Sequence, residues 1–234
     1  MKISIVSPVF SEDKELYVLV EKLFKEIGDY LYQLIFVYHP DSDENCKIIL
    51  EDINKKYKKV EIIPQDLSEK GNGSAFRQGF LAVKGDYVLM IDSDGEMDAA
   101  TIPIMINKIQ ESDCDVVIGS RYAKGGGIKG NYPFSKYVLN RSFQAIFKIL
   151  FRTKINDLTF GFKLFKVKII EEIKFNSTHQ NIGAETTLRP IKMGYRVCEV
   201  PTILNFRQTG EAHSLSLRGN LKYPILAIKI LFNR

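Results

Sequence analysis

Gly85-Asp86-Tyr87-Val88-Leu89-Met90-Ile91-Asp92-Ser93-Asp94-Gly95-Glu96 decides the fold. A short apolar run between Gly85 and a polar turn reads as a buried strand. It ends in three acids at alternate positions, Asp92, Asp94 and Glu96. Carboxylates at i, i+2 and i+4 can converge on a hard divalent cation if the chain curls after the strand. Such cations take oxygen ligands and often share them with phosphates. The carboxyl end of a strand is also where open α/β sheets bind ligands. An isolated acidic turn is equally what a solvated loop looks like, so the rest of the chain has to decide.

Upstream, Ile3 to Val6 is a strand stopped by Pro8, and Leu16, Leu19, Val20, Leu23, Phe24 and Ile27 recur at helical spacing before Gly28. Leu34 to Tyr38 is a second strand, followed by the turn Pro40-Asp41-Ser42-Asp43 into a helix, and Val60 to Ile63 is a third. A helix starting near Gly73 leads back to the acidic strand. Downstream, Thr101 can cap a helix over Ile102 to Ile109, and Asp115 to Ser120 is a strand that delivers Arg121. The loop Lys124 to Gly130 reads as too glycine-rich for one rigid shape and able to close over an anion. Phe134 to Phe151 is a long apolar helix, Ala184 to Met193 another, and Arg196 to Val200 the last strand. Strands alternating with helices predict an α/β fold with a central, mostly parallel sheet flanked by helices.

At 234 residues, 45% hydrophobic and 26% charged, the chain is long enough for one full domain. Met1-Lys2 leads straight into a strand, so no secretory leader is expected, and no apolar run reaches membrane-spanning length. Cys46, Cys114 and Cys198 are scattered and odd in number. Neither a disulfide framework nor a zinc site is expected, and the compartment reads as reducing. Charge is divided. Residues 1–120 carry 13 Lys+Arg against 22 Asp+Glu, whereas 121–234 carry 20 against 6. A basic half suits phosphates or an anionic membrane, and no nucleic-acid-binding motif accompanies it. The turn Gly71-Asn72-Gly73 lacks the third glycine of a dinucleotide loop, because Phe76 stands there, which argues against an NAD site. It can still present backbone N–H groups to an anion, with Arg77 one turn further on.

Several separated stretches fit one pattern in order: Ser7-Pro8-Val9-Phe10-Ser11-Glu12, the Gly71–Gly79 turn and helix, Asp92-Ser93-Asp94, Gly119-Ser120-Arg121-Tyr122 with its glycine-rich loop, Asp157-x-Thr159-x-Gly161-Phe162, and Gly194-Tyr195-Arg196…Glu199-Val200-Pro201. The chain resembles family 2 glycosyltransferases of the dolichyl/polyprenyl-phosphate mannose or glucose synthase type, which have the GT-A fold. The resemblance implies a glycosyltransferase domain over 1–218 with an amphipathic tail over 219–234. Its implied reaction moves mannose or glucose, with inversion, from a GDP-mannose or UDP-glucose class donor to a polyprenyl phosphate.

Carried across by position, Pro8, Phe10 and Glu12 contact the nucleotide, with Gly73, Arg77 and Ser93 beside it. Asp92 and Asp94 hold Mg²⁺ or Mn²⁺ against the diphosphate, and Glu96 is a third metal position. Arg121, Arg141 and Arg207 are the catalytic cations near the acceptor phosphate, with Asp94. Two departures stand out. Tyr38-His39-Pro40-Asp41 replaces the usual acidic base-recognition turn, where His39 is either a replacement base contact or an exposed loop histidine of no function, and Ala212-His213 replaces a Ser-Lys pair after Gly210. A cytoplasmic protein meeting the inner face of the membrane through its tail is expected. Docking of the tail onto its own domain or into a homodimer stays open beside this. Two alternatives also stay open: transfer to a sugar hydroxyl of a cell-surface glycan, with Glu185 as the base, and a non-catalytic sugar-nucleotide-binding protein of the same fold.

Overall fold

The computed structural model describes residues 1–206 and 217–232, with the side chains of 217–220 left aside. Among the described residues the strands are β1 (Ile3–Val9), β2 (Leu31–Tyr38), β3 (Val60–Pro64), β4 (Tyr87–Met90), β5 (Val116–Ser120), β6 (Gly127–Lys129), β7 (Lys163–Lys166), β8 (Val197–Pro201) and β9 (Ile203–Asn205). The helices are α1 (Lys14–Ile27), α2 (Glu44–Lys56), α3 (Asn72–Phe80), α4 (Ile102–Glu111), α5 (Phe134–Leu150), α6 (Lys168–Glu172), α7 (Ile182–Lys192) and α8 (Leu217–Phe232).

Seven strands make one sheet in the order β3-β2-β1-β4-β7-β5-β8, so the strand bearing the acidic turn is central. Neighbours run parallel except at β7, which is antiparallel to both β4 and β5. Alternation along the strands assigns the two faces. Ile3, Ile5 and Leu89 pack with α1, α2 and α4, whereas Val6, Val88 and Met90 pack with α3, α5, α7 and α8. Chain order reverses direction across the sheet between β1 and β4. That is a topological switch point, and the acidic turn lies at its carboxyl edge.

Three sequence expectations are corrected here. The glycine-rich loop holds a fixed shape: β6 pairs parallel with β9, Gly127 N–H donates to Thr202 O (3.0 Å), and Phe206 N–H donates to Lys129 O (2.9 Å). Gly130, at φ +91°, has no room for a Cβ, which would stand 2.5 Å from Phe206 O. Asp98, not Thr101, caps the turn before α4, and Thr101 instead shares a hydrogen bond with Thr202 (2.7 Å). Finally, Cys114 and Cys198 form a disulfide. They are 84 residues apart in sequence, with their Cα atoms 6.1 Å apart: Cys114 lies just before β5, and Cys198 lies on the neighbouring β8. Cys46 stays buried and free.

α5 and α8 bury less than their composition suggests. Among the large apolar side chains of α5, Phe134 is 79% and Ile149 77% exposed, with Val138 and Ile146 about half exposed. α8 inserts Tyr223, Leu226, Ala227 and Ile230 against α5 and α7, while Leu221, Ile225, Ile228 and Phe232 face outward. Among the described residues no helix is long and apolar enough to cross a membrane.

Candidate active site

At the end of β4 the chain stays tied to β1, since Ile91 N–H donates to Val6 O and Ser93 Oγ to Pro8 O at 2.5 Å. Gly95, at φ +75°, reverses the chain, and Glu96 N–H donates back to Asp94 Oδ1 at 2.9 Å. The curl brings Asp92 and Glu96 into one pocket of about 150 Å³. Asp94 lines a different cleft, against Lys14 and Lys22 of α1. The expected convergence of three acids is therefore met by two. Among the described residues, no three Asp, Glu, His or Cys side chains are grouped to cage a metal.

Asn72, at the start of α3, donates from Nδ2 to Asp92 Oδ1 at 3.3 Å. Its own Oδ1 is buried without a hydrogen-bond partner. Burial pushes the Asp92 carboxyl up to about 6; the Asn72 bond opposes this, the nearby charges of Glu12 and Glu96 add to it, and Lys163 opposes it. Lys163 lies wholly buried beneath the pocket, donating to Gly183 O (2.5 Å) and Thr186 Oγ1 (2.9 Å), and burial pushes its ammonium down to about 7. Half-buried Lys136 faces the same pocket over the rings of Tyr132 and Phe206. Burial lowers it, and the Glu96 carboxylate acts against that shift.

A divalent cation suits this donor set. Asp92 is a carboxylate that its surroundings disfavour as an anion, Glu96 faces the same space, and Asn72 Oδ1 lacks a donor. All three are hard oxygen ligands.

Arg121 occupies the far wall, and it is already engaged. Its Nε and Nη2 donate to the two oxygens of Asp157 at 2.7 and 2.9 Å, and its backbone N–H adds a third bond at 3.1 Å. Both side chains are buried, and the guanidinium lies 4.4 Å over Phe160. Burial would lower Arg121, but Asp157 overrides it and holds the guanidinium above its ordinary value. Gln144 of α5 completes the knot, donating to Thr159 Oγ1 (2.8 Å) and accepting from Leu158 N–H (2.6 Å). Arg121 and Tyr132 also line a second, larger groove with Tyr122, Tyr137 and Arg141. Arg141 is exposed there, its guanidinium 4.7 Å over the Tyr122 ring. The two arginines expected near an acceptor thus differ: Arg121 builds the partition between the two spaces, and Arg141 presents charge to the outer one.

Phe10 and His39 meet at the carboxyl ends of β1 and β2, edge to face at 5.1 Å, with Phe10 half exposed. His39 Nδ1 accepts from Asp41 N–H (3.2 Å), so a neutral ring carries its proton on Nε2. Glu12 turns back on its own loop, accepting from Phe10 N–H and Ser11 N–H.

Gly73 and Arg77 do not reach the pocket as anion contacts. A Cβ on Gly73 would come within 2.6 Å of Ser177 O and His179 O, and Ser74 N–H donates to Thr178 O. The Ser74 N–H at the helix start is thus taken by a protein carbonyl. Arg77 is drawn to Glu69 at 2.7 Å, over a separate groove. Glu185 is wholly buried and accepts from the N–H groups of Asn176 and Ser177 and from Arg189 Nε. That commitment removes it as a base. Arg207, Gly210, Ala212 and His213 lie outside the described residues.

Asn72, Tyr132 and Lys136 are site residues that sequence reasoning missed. Lys136 carried a signal, a basic residue in the first turn of an otherwise apolar helix. Asn72 was read only for the glycines around it.

Fold and site define a class: a nucleotide-diphospho-sugar transferase fold of the GT-A type, with an acidic turn at the switch point. Glucosyl-3-phosphoglycerate synthase from Mycobacterium tuberculosis, solved with UDP, superposes with a TM-score of 0.77 over 98% of this chain and 80% of that one, at 13% identity. Other structures of that enzyme contain Mn²⁺ with UDP-glucose, or Mg²⁺ with UDP. The model for glycosyl transferase family 2 matches residues 4–174, and the chain belongs to that family. A dolichol-phosphate mannosyltransferase of Pyrococcus furiosus is 31% identical over 97% of this chain. A polyprenol monophosphomannose synthase of Mycolicibacterium smegmatis is 26% identical over 61% of it. The chain spans 62% and 56% of the length of these two relatives.

Proposed function

We propose that this chain is the catalytic unit of a metal-dependent glycosyltransferase that moves mannose or glucose from a nucleotide-diphosphate sugar to a polyprenyl phosphate at a membrane surface. One observation carries the reading. An acidic pocket at the strand tip and a basic, aromatic groove share Arg121 and Tyr132 as their partition, and α5 beside that groove exposes Phe134, Val138, Ile146 and Ile149. A charged donor on one side and an amphiphilic phosphate on the other suit those two spaces. The relatives named for dolichol and polyprenol phosphates support the acceptor class.

Phe10 and His39 offer a platform for the nucleotide base, and Lys136 faces the donor diphosphate as a cation. Asp92 and Glu96 would hold Mg²⁺ or Mn²⁺, which as a Lewis acid neutralises charge on a departing diphosphate. Arg141 binds the acceptor phosphate in the outer groove, and Arg121, fixed by Asp157, keeps the two substrates in register. A phosphate acceptor is already an anion at neutral pH, so displacement needs no strong base. With Glu185 consumed by the 176–177 backbone, the sugar-hydroxyl alternative loses its assigned base.

The test is transfer of radiolabel from GDP-mannose and from UDP-glucose to a short-chain polyprenyl phosphate. The expected result is organic-extractable label that requires Mn²⁺ or Mg²⁺ and is lost in Asp92→Asn and reduced in Arg141→Ala. Label found only on soluble glycan acceptors would reject the lipid-phosphate assignment.

A further inference from the structure

We infer that Asn72 is itself a ligand of the divalent cation, giving one neutral oxygen where the acidic turn gives two carboxylates. The inference rests on the metal-dependent reading above and deepens it by changing the ligand set. Asn72 is fixed from both sides. A Cβ on Gly71 would stand 2.4 Å from Thr178 O, and one on Gly73 2.6 Å from Ser177 O and His179 O. Ser74 N–H donates to Thr178 O at 3.1 Å. With its backbone clamped, the Asn72 side chain stays beside Asp92.

Chemistry sets the orientation of the amide. An ionised Asp92 only accepts, so the Asn72 group 3.3 Å from Asp92 Oδ1 has to be the NH₂. The amide oxygen is left closed to water and without a donor. An unsatisfied buried carbonyl is costly, and that cost disappears when a cation or a donor-bearing ligand arrives.

The remaining ligands show why a cation is the better occupant. A hard divalent ion takes six or more oxygens, yet Asp94 lines the cleft against α1 while Asp92 and Glu96 line the pocket. A neutral amide oxygen adds a ligand without adding charge.

Manganese titrations of the full chain at pH 7.5, with and without UDP and with free Mn²⁺ read by electron paramagnetic resonance, decide the matter. For Asn72→Leu we expect Mn²⁺ binding to weaken about tenfold or more, as the loss of a supporting metal-site residue does. Asn72→Asp, which keeps an oxygen in place, should bind within about threefold of the wild type. Binding unchanged in Asn72→Leu but lost in Asp92→Asn would overturn the Asn72 assignment and leave the cation site standing. Absence of Mn²⁺ binding by the wild type, or binding indifferent to Asp92→Asn, would overturn both. Should Asn72→Leu fail to fold, Asn72→Ala takes its place: a loss of about tenfold in Mn²⁺ binding supports the assignment, and binding within about threefold of the wild type rejects it.

Discussion

Asp157→Asn is the substitution whose cost follows most directly from the packing. The change is nearly isosteric, so it leaves no cavity, but it replaces a carboxylate that receives Arg121 Nε, Nη2 and backbone N–H between 2.7 and 3.1 Å. Asn can still accept from one guanidinium nitrogen. Its NH₂ then confronts the other, and the Arg121 charge loses the carboxylate that pairs with it. Asp157 is fully buried and Arg121 is only 8% exposed, so water cannot substitute. Breaking a buried pair from one side costs about 3–5 kcal/mol. For a domain of this size each kcal/mol lowers the melting midpoint by roughly 2–4 °C, which puts the fall near 10 °C. Urea titration and thermal melting by circular dichroism at pH 7.5 measure it. Because the pair is shielded from solvent, 0.5 M NaCl should leave the deficit unchanged. Replacing both partners, as in Arg121→Met with Asp157→Leu, should recover most of the loss. A single-mutant midpoint within 2 °C of wild type, or a double mutant worse than the single, would refute the charge-burial argument.

Other consequences are as specific. Asp92 titrates near 6 in the folded chain against an ordinary 3.8, so its ionisation works against the fold as pH rises through 6. Metal-free Asp92→Asn should therefore be more stable than wild type at pH 7.5, by on the order of 2–3 kcal/mol, and the gain should vanish by about pH 4 in paired melts. The Cys114–Cys198 bond spans 84 residues, and reduction should release about 4 kcal/mol of loop-closure stabilisation. Melts with and without reductant, beside Cys114→Ser, report it; identical midpoints would remove the disulfide from the stability account. Ile149→Asp, at a 77% exposed position on α5, should leave the midpoint unchanged and weaken sedimentation with anionic vesicles. Equal sedimentation of both proteins would mean that this face does not meet the bilayer.

The central sheet was legible because its signals are local. Ile3 to Val6, Leu34 to Tyr38 and Val116 to Ser120 are apolar runs closed by turns, and each is a strand in place. The acidic turn after β4 was legible for the same reason. Contacts set by tertiary pairing were not. β6 and β9 are three residues each and exist because they find one another. Cys114, just before β5, meets Cys198 because β8 lies beside β5 in the sheet. The fates of individual charges were equally hidden. The resemblance implied work on a ligand for Arg121, and position in the chain suggested it for Arg77 and Glu185, but each has a protein partner, respectively Asp157, Glu69 and the 176–177 backbone. Asn72 shows the converse, a residue with no motif of its own that the α3 clamp points at Asp92.

The most direct test of the account is a crystal structure of the chain with Mn²⁺ and a nucleotide-diphosphate sugar. The account predicts one ion bound by Asp92 beside Glu96, with diphosphate oxygens completing its coordination and the base against Phe10 and His39. A diphosphate bound elsewhere, with Asp92 still on Asn72 and no ion between them, would contradict it.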